Sequence, residues 1–277
     1  MTDRYAVVGN PVDHSLSPEI HAAFARQTRQ AINYGKLLAP LDGFAAAVAK
    51  FRADGAKGVN VTVPFKFEAF RLCNQPGPEA SDAQAANTLD FRDGKIFGHN
   101  TDGIGLVTDL ENGRGFRVRD KRVLILGAGG ATSGVMHPLL SAHPKQVVVA
   151  NRTLDKACNL VARFARNERF APTKIIASPY EALDVTFDLV INATSAGLRN
   201  EMPALPKGVF AAGALAYDMV YGKRTPFMAF AQQQGARTSD GLGMLVEQAA
   251  AAFEIWRGVR PQTQPVIEML RTRTVRS

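Results

Sequence analysis

Between Lys121 and Ala131 an apolar run, Val123-Leu-Ile-Leu126, passes directly into Gly127-Ala-Gly-Gly130, and a helical pattern of apolar residues follows at once. Glycines in that place permit a tight turn and let backbone N–H groups approach a pyrophosphate at the start of a helix. The spacing predicts a dinucleotide cradle built from Gly127, Ala128, Gly129, Gly130 and Ala131, with Thr132 standing where the usual fingerprint has a third glycine. A plain glycine-rich β–α turn is the alternative.

About 20 residues further on, where an NAD-binding chain places an acidic residue against the ribose, the next strand runs into Asn151-Arg152-Thr153. A guanidinium in place of a carboxylate favours a 2′-phosphate, which it clamps with paired, charge-assisted hydrogen bonds. Lys156 adds a second positive charge one helical turn on. The expected cofactor is therefore NADP, the alternative being that Arg152 is a solvated residue at a helix start.

Strand-like and helix-like runs alternate almost to the end of the chain, which predicts an α/β fold with mostly parallel sheets. Strands are expected at 5–8, 33–38, 58–62, 123–126, 146–150, 189–192 and 215–219. Helices are expected at 18–27, 41–53, 104–111, 131–141, 154–164, 226–234 and 244–257. At 277 residues the chain suits two domains better than one small core. The expected division is a substrate domain over 1–103, a Rossmann-like nucleotide domain over 104–242 with a cleft separating the two, and a C-terminal helix over 243–277 packing back on the first. Hinge closure on ligands is expected from that arrangement.

Composition narrows the function. The net charge of +8 is dispersed, its densest cluster being Arg271, Arg273 and Arg276, so a field that gathers small anions is expected rather than a nucleic-acid surface. No run approaches the roughly 18 apolar residues of a membrane helix, and the N-terminus lacks a signal-peptide pattern. A cytoplasmic protein is expected. Cys73 and Cys158 form neither a disulfide framework nor a metal-site spacing.

Chemistry concentrates in two short turns. Asn60-Val-Thr-Val-Pro-Phe-Lys66 and Gly98-His-Asn-Thr-Asp-Gly-Ile-Gly105 bring a lysine and an aspartate, each flanked by amides and hydroxyls, to the ends of β-prone stretches. Lys66 with Asp102 beside it reads as a proton-transfer pair, because a lysine needs a neighbour or a desolvated pocket before it exchanges protons readily near neutrality. An ordinary ion pair between loops is the alternative. Ser15-Leu-Ser17-Pro18 reads as a helix start with Ser17 as N-cap and Pro18 at the first helical position, and hydroxyls there also suit a carboxylate. His21, one turn on, reads as a packing or capping residue.

Together these motifs, with Ala86-Asn-Thr88, Asn192-Ala-Thr-Ser195 and Asp240-Gly-Leu-Gly-Met-Leu-Val-Glu-Gln248, resemble shikimate dehydrogenase in the family's own order from about residue 5 to 258. The resemblance implies reversible, NADPH-dependent reduction of 3-dehydroshikimate to shikimate. It implies that Ser15 and Ser17 hold the substrate carboxylate, that Thr62, Asn87, Asp102 and Gln248 bind ring hydroxyls, and that Lys66 and Asp102 are catalytic. Tyr221 would lie beside substrate and nicotinamide, and Thr194, Met219 and Gly241 along the cofactor; no metal is implied. Ala22, Gln84 and His99 depart from the family's pattern beside the binding motifs. They leave room for a relative that also accepts quinate or works poorly on shikimate. The alternatives are a quinate/shikimate dehydrogenase using NAD, against which Arg152 stands, and a non-catalytic NADP-binding sensor, against which the presence of Lys66 and Asp102 stands; the choice of monomer or homodimer stays open.

Overall fold

A computed structural model describes residues 2–274, so the expected helical residues 275–277, and Arg276 of the basic tail, lie outside the described residues. The chain forms two compact units, one comprising residues 1–105 and 246–277 and the other residues 106–245.

The first unit contains β1 (Asp3–Gly9), α1 (Ser17–Thr28), β2 (Ile32–Leu38), α2 (Phe44–Ala53), β3 (Gly58–Val61), α3 (Lys66–Leu72), β4 (Gln75–Pro76), α4 (Pro78–Ala83), β5 (Thr88–Arg92) and β6 (Lys95–His99). Its sheet order is β2-β1-β3-β5-β6-β4. Only β5 runs against the others, pairing antiparallel with β3 and β6. The β5–β6 hairpin was not expected from the sequence. It closes through Asp93 and Gly94, with φ of 51° and 72°, the two left-handed residues that match the twist of paired strands. Val8, Val59, Val61 and Leu89 bury one sheet face against Phe44, Phe65 and Ala69. On the opposite face Trp256 donates from Nε1 to the Leu89 carbonyl at 3.2 Å. Gly58 makes room for it, since a Cβ there would sit 2.5 Å from that indole nitrogen.

The chain leaves this unit within α5 (Asp102–Thr108), which continues as a π-turn over Asp109–Gly113. The second unit then runs β7 (Arg122–Leu126), α6 (Gly130–Ser141), β8 (Gln146–Ala150), α7 (Leu154–Ala165), β9 (Lys174–Ser178), β10 (Phe187–Asn192), β11 (Phe210–Asp218), α8 (Pro226–Gln233) and β12 (Arg237–Ser239). Its sheet is wholly parallel, ordered β12-β11-β10-β7-β8-β9. This is the doubly wound order, with the switch point between β7 and β10. Residues alternate between two cores: Val123, Ile125, Val147 and Ile191 join one, Leu124, Leu126, Val148 and Val190 the other. Both faces are dry, so the strands read as unbroken apolar runs.

The return path is α9 (Leu242–Arg257), followed by α10 (Gln264–Thr274). The single C-terminal helix expected over 243–277 is therefore two. Gly258 at φ 69° and Pro261 interrupt it, because neither continues a right-handed helix. Within the second unit, buried Asp109 accepts the Tyr217 hydroxyl at 2.7 Å and pairs with Arg114 at 3.2 Å. Gly243 has no side chain because a Cβ there would overlap the Asp109 carboxylate.

Candidate active site

In the first unit, three short turns deliver polar side chains to one buried place. Lys66 is the first residue of α3, five residues beyond Val61 at the end of β3; Asn87 immediately precedes β5; and Asp102 opens α5. The backbone stitches these turns together: Val61 N donates to the Asn87 carbonyl at 2.7 Å, Asn87 N to His99 at 3.0 Å, and Ala86 N to Lys66 at 2.9 Å. Lys66 Nζ then lies 2.5 Å from Asp102 Oδ2, with side chains 16% and 8% exposed. At that burial the pair is shielded from solvent far better than an exposed ion pair, which is individually weak.

Asn87 and Gln248 complete the cluster. Asn87 Nδ2 donates to Asp102 Oδ1 at 2.8 Å and lies 3.3 Å from Gln248 Oε1. Gln248, on α9, also faces the Thr101 hydroxyl at 3.4 Å. Thr62 sits just past β3, its backbone N–H bonded to the Val8 carbonyl at 2.9 Å, and its methyl fills the space that a side chain at Gly9 would need.

Ser15 and Ser17 stand together, their hydroxyls 3.1 Å apart. Ser17 is not the N-cap expected of it. The helix already includes Ser17, Leu16 precedes it with helical dihedrals, and no side chain caps it. It is Ser15 Oγ that accepts the Ser17 N–H, at 3.3 Å. A turn closed by the Ser15 N–H donating to the Val12 carbonyl at 3.1 Å holds Ser15 just ahead of the helix.

His21 packs, in agreement with the sequence. It is fully buried and stacks on Tyr34 at 4.1 Å, and the Asn60 amide acts on its ring without a well-aligned hydrogen bond to either nitrogen. Burial pushes its pKa down to about 3, so the ring is neutral and apolar in behaviour.

The second unit carries the glycine turn. Gly127 adopts φ 99°, a left-handed conformation, and a Cβ there would press within 3.1 Å of the Thr194 methyl. No protein atom lies within 4 Å of the Cβ position of Gly129, and α6 begins at Gly130 without a side-chain cap. Bare N–H groups at an uncapped helix start suit a pyrophosphate. Thr132, the residue in the third-glycine position, is fully buried and donates to the Gly127 carbonyl at 2.8 Å. Its hydroxyl braces the turn, which is why a side chain is tolerated there.

Asn151 Nδ2 donates to the Thr153 carbonyl at 2.8 Å, leaving Arg152, Thr153 and Lys156 exposed at the start of α7. Arg152 also lies near Tyr180. Thr194 bonds Asn192 through its hydroxyl at 2.7 Å. Gly241 packs so closely on the Met219 carbonyl that no side chain fits. Tyr221 is half-buried just past β11, and burial raises its phenol pKa. A bound dinucleotide thus meets an uncapped helix start, an unobstructed glycine and two exposed cations, and these residues fit NADP. Among the described residues no cluster of three His, Cys, Asp or Glu side chains is arranged to hold a metal ion, and no helix is long and apolar enough to cross a membrane.

Sequence reasoning missed Asn60, Thr88, Thr101 and Tyr34 as members of the buried cluster. The signal was present in Asn60, an amide inside the otherwise apolar run Gly58-Val-Asn-Val61, where a buried polar group must find partners.

The family models matched are those for the shikimate dehydrogenase substrate binding domain over residues 7–89, shikimate/quinate 5-dehydrogenase over 111–201, and the shikimate 5'-dehydrogenase C-terminal domain over 241–271. A shikimate dehydrogenase (NADP(+)) from Methylobacillus flagellatus is 58% identical, across 97% of this chain and 99% of its own length. Among solved structures, an Ael1 enzyme from Pseudomonas putida is 48% identical with a TM-score of 0.90, covering 97% of this chain and 98% of that one. The Thermus thermophilus shikimate 5-dehydrogenase, solved with NADP(H) and shikimate, is 34% identical with a TM-score of 0.85 over 98% of this chain and 99% of that one. On identity and on full-length coverage, the chain belongs to the shikimate dehydrogenase family.

Proposed function

We propose that this protein is an NADP-dependent shikimate dehydrogenase, interconverting 3-dehydroshikimate and shikimate on the route to the aromatic amino acids. The observation that carries the reading is the buried contact between Lys66 Nζ and Asp102 Oδ2, with Asn87 and Gln248 on the same spot.

In this reading Ser15 and Ser17 take the substrate carboxylate, and Thr62, Asn87 and Gln248 take its ring hydroxyls. Lys66 holds a proton at Nζ against the substrate carbonyl oxygen. As the carbonyl carbon is reduced, that oxygen gains the Lys66 proton and becomes the hydroxyl, and the amine regains a proton from solvent. Asp102 orients the ammonium and the hydroxyl so that the transfer needs no search. NADPH, when bound, supplies the hydride. Residues 127–131 cradle its pyrophosphate, Asn151, Arg152, Thr153 and Lys156 take the 2′-phosphate, and Thr194, Met219, Tyr221 and Gly241 flank the nicotinamide end. Positioned proton transfer contributes typically about 10²–10⁴-fold, and positioning and the hydride donor supply the remainder.

Cys73 and Cys158 are free thiols, which suits the reducing cytoplasm as the place of work. The deciding experiment measures nicotinamide absorbance with shikimate and with quinate, each offered with NADP and with NAD. Turnover is expected chiefly with shikimate and NADP. Turnover of quinate alone, or preference for NAD, would overturn the assignment.

A further inference from the structure

The Lys66–Asp102 pair lies at one end of a longer run of buried hydrogen bonds whose direction can be deduced link by link. The backbone N–H of Thr101 lies 2.8 Å from Asn87 Oδ1, and a backbone N–H can only donate. Asp102 Oδ1 lies 2.8 Å from Asn87 Nδ2, and a carboxylate can only accept. Two independent partners thus fix the orientation of the Asn87 amide, with its NH₂ toward Asp102.

The direction then propagates outward. Thr88 Oγ1 lies 3.0 Å from Asn87 Oδ1, so the threonine must donate there. Its lone pairs then accept Asn60 Nδ2 at 3.0 Å. Asn60 Nδ2 also meets the Asn87 carbonyl at 3.3 Å, which independently confirms how that amide lies. Asn60 Oδ1 must therefore accept, and Tyr34 Oη donates to it at 2.7 Å. Burial raises the Tyr34 pKa well above that of a free phenol, which keeps the donating proton in place. Asn60, Asn87, Thr88, Thr101 and Asp102 are all at most 6% exposed, so water offers none of them a substitute partner.

We propose that Thr88 is a positioning residue for the reaction. Its hydroxyl donates to Asn87 Oδ1 and accepts from Asn60 Nδ2, and so tethers the Asn87 amide, whose orientation Thr101 and Asp102 set, to the Tyr34–Asn60 pair and keeps it at the distance from which it holds Asp102 for Lys66. Thr88 touches neither reacting group; it acts through Asn87. The inference rests on the proposed function for its readout and on the geometry for its substance.

The test compares Thr88→Val with Thr88→Ser in steady-state oxidation of shikimate with NADP. Valine keeps the shape and removes the hydroxyl; serine keeps the hydroxyl and removes the methyl. A hydrogen bond to a charged or buried amide network predicts a kcat about tenfold lower for Thr88→Val, with the KM for NADP within about twofold of wild type, and Thr88→Ser within about twofold throughout. A packing role predicts the reverse order, and that order, or wild-type kcat in folded Thr88→Val, overturns the proposal. Should Thr88→Val fail to fold, Thr88→Ala carries the same expectation, and wild-type kcat in that variant is equally fatal. A wild-type chain inactive on shikimate would instead remove the proposed function, so the two failures are distinguishable.

Discussion

The polar groups around Lys66 are buried and bonded to one another, whereas those around the glycine turn of the second unit face solvent. Asn87, Thr88, Thr101 and Asp102 are between 0% and 6% exposed, and each spends its hydrogen bonds on a neighbour. Arg152, Thr153 and Lys156 are exposed, and the turn beside them offers mainly backbone. The contrast follows from the tasks. A proton-transfer group must be held to a fraction of an ångström, and only a buried, mutually satisfied network does that. A phosphate carries its own charge and can be gathered by solvated cations and an uncapped helix start.

The sharpest break of the contrast is Lys66→Ala. Removing the half-buried proton carrier is expected to lower turnover by about 10²–10⁴-fold while shikimate binding, measured by fluorescence or calorimetry, changes little. A variant with near-normal turnover would take Lys66 out of the chemistry and leave the buried cluster a purely structural feature.

His21 sharpens the comparison through stability. Its pKa falls to about 3 in the fold because burial disfavours the charged ring. Above pH 6.5 the histidine is neutral whether the chain is folded or unfolded and contributes nothing to the balance. As pH falls below 6.5 the unfolded chain takes up a proton that the folded chain refuses until about pH 3, so stability is lost across that window. Between pH 7 and pH 4.5 the loss from this one residue is on the order of 2–3 kcal/mol. Denaturant titrations at the two pH values should show it, and His21→Phe, which keeps a ring against Tyr34, should lose less by that amount. An identical pH slope in both proteins would mean the ring is not buried as described.

Much of the architecture is readable in the sequence because it rests on local pattern. The glycine turn after Val123–Leu126, the parallel strands that followed it and the amphipathic spacing of α7 each announce themselves within a dozen residues. The β5–β6 hairpin did not, although Leu89-Asp90-Phe91-Arg92 alternates apolar and polar residues and Asp93-Gly94 is a strong turn signal, because the alternation lasts only four residues and the partner strand breaks it with Ile96-Phe97 side by side before Gly98. The short edge strands β9 and β12 bury too little to leave a pattern. At the site, Lys66, Asp102, Asn87 and Gln248 stood out within their motifs. The links through Tyr34, Asn60 and Thr88 did not, since a hydrogen bond's direction depends on which partner lies opposite, and register across β2, β1, β3 and β5 decides that.

On the solvated side, Arg152→Ala is expected to raise the KM for NADP by about 10–100-fold, the range of a charge-assisted hydrogen bond pair, and to leave the weaker NAD reaction almost untouched. Turnover at saturating cofactor should stay near wild type, the converse of Lys66→Ala. Equal weakening toward both cofactors would contradict recognition of the 2′-phosphate.

Lys156→Ala carries the smallest expected effect and is the most direct probe of whether this side works by diffuse charge. Lys156 lies in the first turn of α7, exposed, beside the Asn151–Thr153 turn. An exposed ammonium near a phosphate contributes through water, so its removal should raise the KM for NADP only about two- to fivefold at low salt. That increment should shrink as ionic strength rises and the screening length falls to about 8 Å near 0.15 M. The Arg152 effect should persist further into salt, because paired hydrogen bonds depend on contact geometry as well as field. A Lys156 effect as large as that of Arg152 and indifferent to salt would mean that the lysine makes a fixed, desolvated contact, and that the nucleotide side is built more like the Lys66 cluster than its exposure indicates.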